Sequence, residues 1–157
     1  MPQPINNALP YNLEAEQSVL GAILIDMEEQ YEIVSKLKED DFFLESHKLI
    51  FHSMREICGS NKPVDLVTLS DDLEKKSSLE KAGGIEYVTE LARTTPSAAN
   101  YQYYLDIVKR DGTLRKLIRG AEDIIKNARV SSDRRSSVEY AEKKVYDISE
   151  ELDTSTL

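Results

Sequence analysis

The segment LRKLIRGAEDIIKNA, residues 114–128, places apolar side chains at steps of three and four for two full heptads, which predicts a long amphipathic α-helix. After a Ser-rich polar turn at residues 129–137, the segment VEYAEKKVYDISEEL, residues 138–152, repeats apolar residues at the same steps. Two apolar seams joined by a short polar loop most simply pack as an antiparallel pair of helices. We therefore predict a helical hairpin over residues 97–152.

The apolar stripe on the first arm of this hairpin is wider than one partner helix would cover. Its widest positions are Leu117, Ile118, Ile124 and Ile125. Either the globular part of the same chain or another subunit would cover the remainder, and the pattern leaves both open. The arms also differ in charge, since Lys109 to Arg135 holds 9 basic and 4 acidic residues while Ser136 to Leu157 holds 2 and 6.

Upstream of the hairpin, apolar periodicity predicts five short helices, at residues 12–26, 28–38, 46–59, 69–76 and 85–92. Asn12 is the expected N-cap of the first helix and Ser46 that of the third. Thr68-x-x-Asp71 resembles a capping box for the fourth. Residues 1–11, rich in proline, are expected to form a flexible arm, and the head is expected to end at residue 96.

Composition indicates an all-α, globular, helix-rich chain: 40% of the residues are hydrophobic, 31% are charged, and there are only 6 glycines and 5 prolines. The net charge is −9, and the whole excess lies in residues 1–96, with 9 basic and 18 acidic side chains. This balance argues against a whole-surface nucleic-acid binder. The sequence has neither a signal peptide nor a long apolar run, so we expect a cytoplasmic protein.

The sequence contains no recognisable catalytic, phosphate-binding or metal-binding motif. It contains no G-x-x-x-x-G-K-[ST] or G-x-G-x-x-G loop, and adjacent acidic pairs such as Asp71-Asp72 point in different directions on a helix. His47 and His52 lie five residues apart, on different helix faces, and we expect both on the polar helix surface. Cys58 is expected to be a buried core residue. We predict no catalytic, metal-binding or cofactor-binding residue.

Six sequence blocks, taken in order, resemble the N-terminal domain of DnaB-family replicative DNA helicases over most of residues 9–152. They are NLEAEQSVLGAIL (12–24), HKLIFHSM (47–54), PVDLVTLSDDLE (63–74), GGIEYVTELA (83–92), PSAANYQYYLDIVKR (96–110) and LRKLI (114–118). The resemblance implies a compact six-helix globular head followed by the hairpin, with residues 153–157 starting a linker toward an absent ATPase domain. ATP and Mg are then expected only in that absent C-terminal domain, and the full-length parent is expected to be an ATP-dependent DNA helicase.

The same resemblance implies a non-catalytic oligomerisation and primase-interaction domain, which forms the N-terminal collar of a hexameric ring. Its implied partners are further copies of itself, as dimer, trimer or hexamer, and the C-terminal helicase-binding domain of primase. The predicted interface residues are Tyr87, Leu114, Leu117, Ile118, Ala121, Ile124, Ile125, Val145 and Ile148.

Two alternatives stay open at this point. Tyr87 could be an ordinary core tyrosine instead of an interface residue. The chain could also be a nucleic-acid-binding helical module that uses the basic stretch 109–135, although we expect little direct nucleic-acid binding because most of those charges can pair with the acidic arm or with an acidic head.

Overall fold

A computed structural model describes residues 8–95 and 97–155, which fold into seven α-helices and one 3₁₀ turn and contain no strand. The helices are α1 (Leu13–Ile25), α2 (Gln30–Ser35), α3 (Glu45–Gly59), α4 (Leu66–Lys75), α5 (Gly84–Thr94), α6 (Tyr101–Val130) and α7 (Arg134–Ser155), and the 3₁₀ turn is Glu39–Asp41. The all-α prediction is confirmed. Most of the predicted arm, residues 1–7, and the last two residues of the predicted linker lie outside the described residues.

The chain divides into two compact units. The first, which we call the head, is Tyr11–Gly112, and the second, which we call the hairpin unit, contains residues 8–10 and 113–155. The head thus includes the first twelve residues of α6, which we had assigned to the hairpin. The physical reason is burial, since Leu105 and Val108 are both 2% exposed and belong to the core of the head.

Helix α1 lies at the centre of the head. Eight of its thirteen residues are buried, and it packs on α2, α3 and α5. Asn12 caps it as predicted, because its Oδ1 accepts a hydrogen bond from the Ala15 amide at 2.9 Å. Helix α5 approaches the backbone of α1 closely at Gly21, where an added Cβ would lie 2.6 Å from the Leu91 carbonyl oxygen.

Two predicted helix starts are wrong. The capping box of α4 lies one turn earlier than Thr68-x-x-Asp71: Asp65 Oδ1 accepts from the Thr68 amide at 2.8 Å, and Thr68 Oγ1 accepts from the Asp65 amide at 2.9 Å. A threonine hydroxyl therefore completes the box in place of the usual Glu or Gln. Helix α3 begins at Glu45 after Leu44, without a side-chain cap, and not after Ser46.

Helices α6 and α7 form an antiparallel hairpin. Contacts pair early positions of one helix with late positions of the other: the Ser137 hydroxyl donates to Asn127 Oδ1 at 2.6 Å, Lys144 Nζ lies 3.3 Å from Asp123, and Lys116 Nζ lies 2.6 Å from Glu151. The Lys116–Glu151 pair joins a basic first arm to an acidic returning arm, as the charges of the two arms predict, whereas the Lys144–Asp123 pair has the opposite sense.

The turn between the two arms is shorter than predicted. Only residues 131–133 connect the helices, because Asp133 Oδ1 accepts from the Arg135 amide at 3.2 Å and so allows α7 to begin at Arg134. At the other end of the unit, the buried Arg115 guanidinium donates to the Pro10 carbonyl at 2.8 Å.

We predict that Gly21→Ala destabilises the chain although alanine is the better helix former. The new methyl group would meet the Thr95 side chain and the Leu91 backbone, and overpacking of this kind costs about 1–3 kcal/mol. Urea unfolding followed by circular dichroism measures the effect. The control is Gly59→Ala in α3, where an added Cβ meets nothing within 4 Å; equal stability of the two variants would contradict the packing.

Candidate functional site

Eight of the nine predicted interface residues lie in the hairpin unit, and Tyr87 lies on α5 of the head. Leu114, Leu117 and Ile125 are 41%, 46% and 51% exposed. Ala121 and Val145 are also exposed, whereas Ile118, Ile124 and Ile148 are half-buried. Five of the eight hairpin residues are thus exposed.

This apolar row of α6 is not the row that meets α7. The contacts with α7 run along Lys116, Gly120, Asp123 and Asn127, and the Ile148 side chain would lie 3.5 Å from a Cβ at Gly120. At 3.6 residues per turn, the row from Leu114 to Ile125 lies roughly a third of a turn away. The prediction that the two apolar seams face each other is therefore wrong for most of the α6 stripe.

Helix α7 repeats this arrangement. Ile148 points toward α6, whereas Val138, Val145 and Leu152 are 56%, 51% and 48% exposed and lie roughly a quarter turn aside. The two rows are displaced in the same rotational sense about antiparallel helices, which brings both to the same side of the hairpin. The hairpin unit therefore carries one apolar face built from both arms.

The tip of the hairpin is basic. Lys126, Arg129, Arg134 and Arg135 are exposed, and within the described residues none of the four forms an ion pair. The basic residue Lys116 pairs with Glu151 lower on the hairpin, and Lys144 pairs with Asp123.

In the head, Tyr87 ends a buried chain of hydrogen bonds. Its hydroxyl lies 2.5 Å from His47 Nε2 and accepts from Gln17 Nε2 at 3.2 Å. His47 Nδ1 lies 2.7 Å from Glu16 Oε1, and the Phe43 amide donates to the other oxygen of Glu16 at 2.8 Å. Tyr87 is half-buried. It is thus neither a fully buried core tyrosine nor a freely exposed one.

A neutral His47 satisfies every group in this chain. A carboxylate can only accept, so the proton belongs on Nδ1, and Nε2 then accepts from the Tyr87 hydroxyl. Burial raises the pKa of the Tyr87 phenol above its ordinary value of 10.0; the Gln17 hydrogen bond opposes this and the Glu16 charge adds to it. The phenol therefore stays protonated to higher pH in the folded chain.

Glu16 was not among the predicted site residues, and the surface position predicted for His47 is wrong. His47 is 0% exposed and Glu16 is 1% exposed, whereas we expected His47 on the helix surface. A signal was present, because Glu16 precedes Leu20 by four positions and His47 precedes Phe51 by four, so each lies on the apolar face of its helix. His52 lies on the helix surface as predicted, with its side chain 45% exposed.

Cys58 also differs from its prediction. It is only half-buried, at the edge of the core, and burial raises the pKa of its thiol.

Within residues 8–95 and 97–155, no group of three or more His, Cys, Asp or Glu side chains is placed to hold a metal ion. None of the helices in this described part has the length and apolar content needed to cross a membrane. Each unit therefore offers one candidate surface: the hairpin unit has an apolar face, and the head has a tyrosine held by a buried hydrogen-bond chain.

Together these features define a helical head-and-hairpin module with surfaces for protein association. Residues 8–110 match the family model of the DnaB-like helicase N terminal domain. The chain belongs to this family, which confirms the resemblance drawn from its sequence blocks.

Two replicative helicases with similar sequences support this family membership. The chain is 41% identical over 145 residues to a replicative DNA helicase DnaB of Buchnera aphidicola subsp. Baizongia pistaciae, covering 91% of this chain and 31% of that protein. It is 37% identical over 142 residues to the replicative DNA helicase DnaB of Geobacillus stearothermophilus, covering 90% and 31%. The chain thus spans about a third of the length of these relatives.

Two solved structures share the fold. The crystal structure of the N-terminal domain of DnaB helicase from Mycobacterium tuberculosis matches with a TM-score of 0.84 and 29% identity, covering 90% of this chain and 99% of that one. A DnaB-like replicative helicase, reported with its interactions with primase, matches with a TM-score of 0.74 and 28% identity, covering 87% and 31%.

We predict that Glu16→Ala lowers the free energy of unfolding by about 2–4 kcal/mol, because it leaves the His47 Nδ1–H and the Phe43 amide without an acceptor. Glu14→Ala is the matched control, since Glu14 lies in the same first turn of α1 and is exposed. It should change stability by no more than about 0.5 kcal/mol. Similar losses in both variants in urea unfolding would show that the buried acceptor is unimportant.

Proposed function

We propose that this chain is the non-catalytic oligomerisation and primase-interaction domain of a replicative DNA helicase, and that it forms the N-terminal collar of the hexameric ring. The observation that carries the proposal is the apolar face on one side of the hairpin, which the contacts between α6 and α7 leave open. Family membership supports it, since the family is that of helicase N-terminal domains.

A second copy of the chain is the occupant that fits this face best. A two-fold axis sets one surface against itself, so a face made of apolar rows on two helices meets a matching face and forms a four-helix arrangement. Ala121 and Ala128 lie within the α6 row, and small side chains there allow close approach between helices. Burial of Leu117, Ile125 and Val145 would supply the driving force.

Primase, through its C-terminal helicase-binding domain, is the proposed second partner. The matching DnaB-like helicase structure that was reported with its interactions with primase supports this choice. We assign Tyr87 of the head, with Ile118 and Ile124 of the hairpin, to this contact. ATP hydrolysis and Mg binding are proposed to belong to a C-terminal domain of the full-length helicase.

The proposal is tested first by self-association. The double variant Leu117→Gln with Ile125→Gln should weaken association by about tenfold or more, because it replaces two exposed apolar side chains of the α6 row. Light scattering across a concentration series measures the solution mass. Lys126→Gln, exposed on the same helix outside that row, should leave the mass unchanged.

A chain that stays monomeric at high concentration would contradict the collar proposal, and so would a double variant that associates as well as the parent. Calorimetry with the C-terminal domain of a cognate primase tests the second partner, and absence of heat at concentrations well above micromolar would exclude it.

Nucleic-acid binding is the second candidate function. It is favoured by the exposed basic side chains at the hairpin tip, which form no ion pair with any residue that the structure describes: Lys126, Arg129, Arg134 and Arg135. Phosphate contacts release counterions, so the signature is binding to single-stranded DNA that weakens steeply with added salt. The acidic head argues against a larger DNA footprint, since the whole excess of negative charge lies there.

A further inference from the structure

The hydroxyl of Tyr87 is committed to partners inside the head. A phenol has one proton to donate, and with His47 in the neutral form that satisfies every group of the chain, this proton is directed at Nε2, 2.5 Å away. One lone pair of the oxygen is taken by the Gln17 amide at 3.2 Å. The donor of this side chain is therefore unavailable to another protein as long as His47 stays in place.

The imidazole of His47 is fixed in turn. Glu16 holds Nδ1 at 2.7 Å, and the Phe43 amide fixes the carboxylate from its other oxygen. The Phe42 ring meets the imidazole edge-on at 6.4 Å between ring centroids. Because His47 is fully buried and both of its nitrogens are bonded, its ring has one orientation that satisfies all partners.

The ring of Tyr87 is confined as well. It lies parallel to the imidazole, with an interplanar angle of 8° and 5.9 Å between centroids. Gly83 precedes α5 at a φ of 108°, and an added Cβ there would lie 2.7 Å from Tyr87 Cδ2. The backbone thus approaches the tyrosine where no larger residue fits, and the half-buried ring keeps a part of its surface toward solvent.

We propose that Glu16 and His47 are positioning residues for Tyr87, and that the head presents the tyrosine ring, and not its hydroxyl, to the protein that docks there. This inference rests on the proposed primase contact. It specifies the chemistry of that contact: an apolar side chain of the primase domain packs on the ring, and no carboxylate or carbonyl of the partner accepts from the phenol.

The ring and the hydroxyl are separated by two substitutions at Tyr87, measured by calorimetry with the primase C-terminal domain. Tyr87→Phe should bind within about threefold of the parent, whereas Tyr87→Ala should bind at least about tenfold more weakly. Equal losses in the two variants would show that the partner uses the hydroxyl. An unaffected Tyr87→Ala would show that the head does not present the ring.

Positioning is separated from stability by two substitutions at His47. Glutamine can reach the place of Nε2 and keep the Tyr87 contact, while asparagine can reach the place of Nδ1 and keep only the Glu16 contact. Each variant loses one buried hydrogen bond, so similar destabilisation is expected. Binding should survive in His47→Gln and fall at least about tenfold in His47→Asn. Binding that follows stability in both variants would reduce His47 to a structural role and overturn the proposal.

A readout without primase keeps the two proposals apart. In NMR of tyrosine-labelled chain, with Tyr87 assigned through Tyr87→Phe, the Tyr87 ring signals should move further in His47→Asn than in His47→Gln, because both variants lose the stacked imidazole but only His47→Asn also loses the Tyr87 hydrogen bond. Equal shifts in the two variants would overturn positioning even if primase binds. Parent chain that fails to bind primase, with the ring signals behaving as expected, would overturn the primase contact and leave positioning standing.

If His47→Asn does not fold, Glu16→Gln provides a second test. This substitution removes a negative charge that raises the pKa of the Tyr87 phenol, so the phenol should titrate at a lower pH. An unchanged titration would count against the coupling between Glu16 and Tyr87.

Discussion

Helix α1 is the element around which the other helices of the head are arranged, and burial on nearly all its sides constrains what each position can be. At 13 residues it is too short to be stable alone in water, so its stability comes from packing. Gly21 sets how closely α5 approaches, and Glu16 binds the buried imidazole of α3. Apolar residues such as Leu20 and Ile23 fill the remaining space. A single helix thus provides the close approach, the polar connection and six of the buried hydrophobic residues of the core.

The helices of this fold were predictable from local sequence because their apolar residues recur with a clear period. The ends of the helices were harder to predict from local sequence. Thr68 serves as the third residue of a helix that Asp65 caps, although the pattern placed it as the cap itself. Both assignments satisfy local capping chemistry, and packing of the preceding segment decides between them, with Val64 fully buried and its amide bonded to Gln30. That long-range contact leaves no trace in local spacing.

The site was predictable in part for the same reason. Periodicity showed that α6 and α7 each have an apolar row, but it could not say which row meets the neighbouring helix. The structure uses Gly120 and flanking polar residues for that contact, and the Ile148 side chain packs beside Gly120. The roles of Glu16 and His47 were hidden because each residue type is usually exposed, and only their register with apolar neighbours indicated burial.

The hairpin separates what holds it together from what it offers to others. Ion pairs and the contact at Gly120 join α6 to α7 on one side, and the rows containing Leu117 and Val145 lie on another. Evolution can therefore alter the exposed rows, and with them the choice of partner, without reworking the contact that keeps the arms together. Related hairpins can therefore differ in their binding partners while they keep the same architecture.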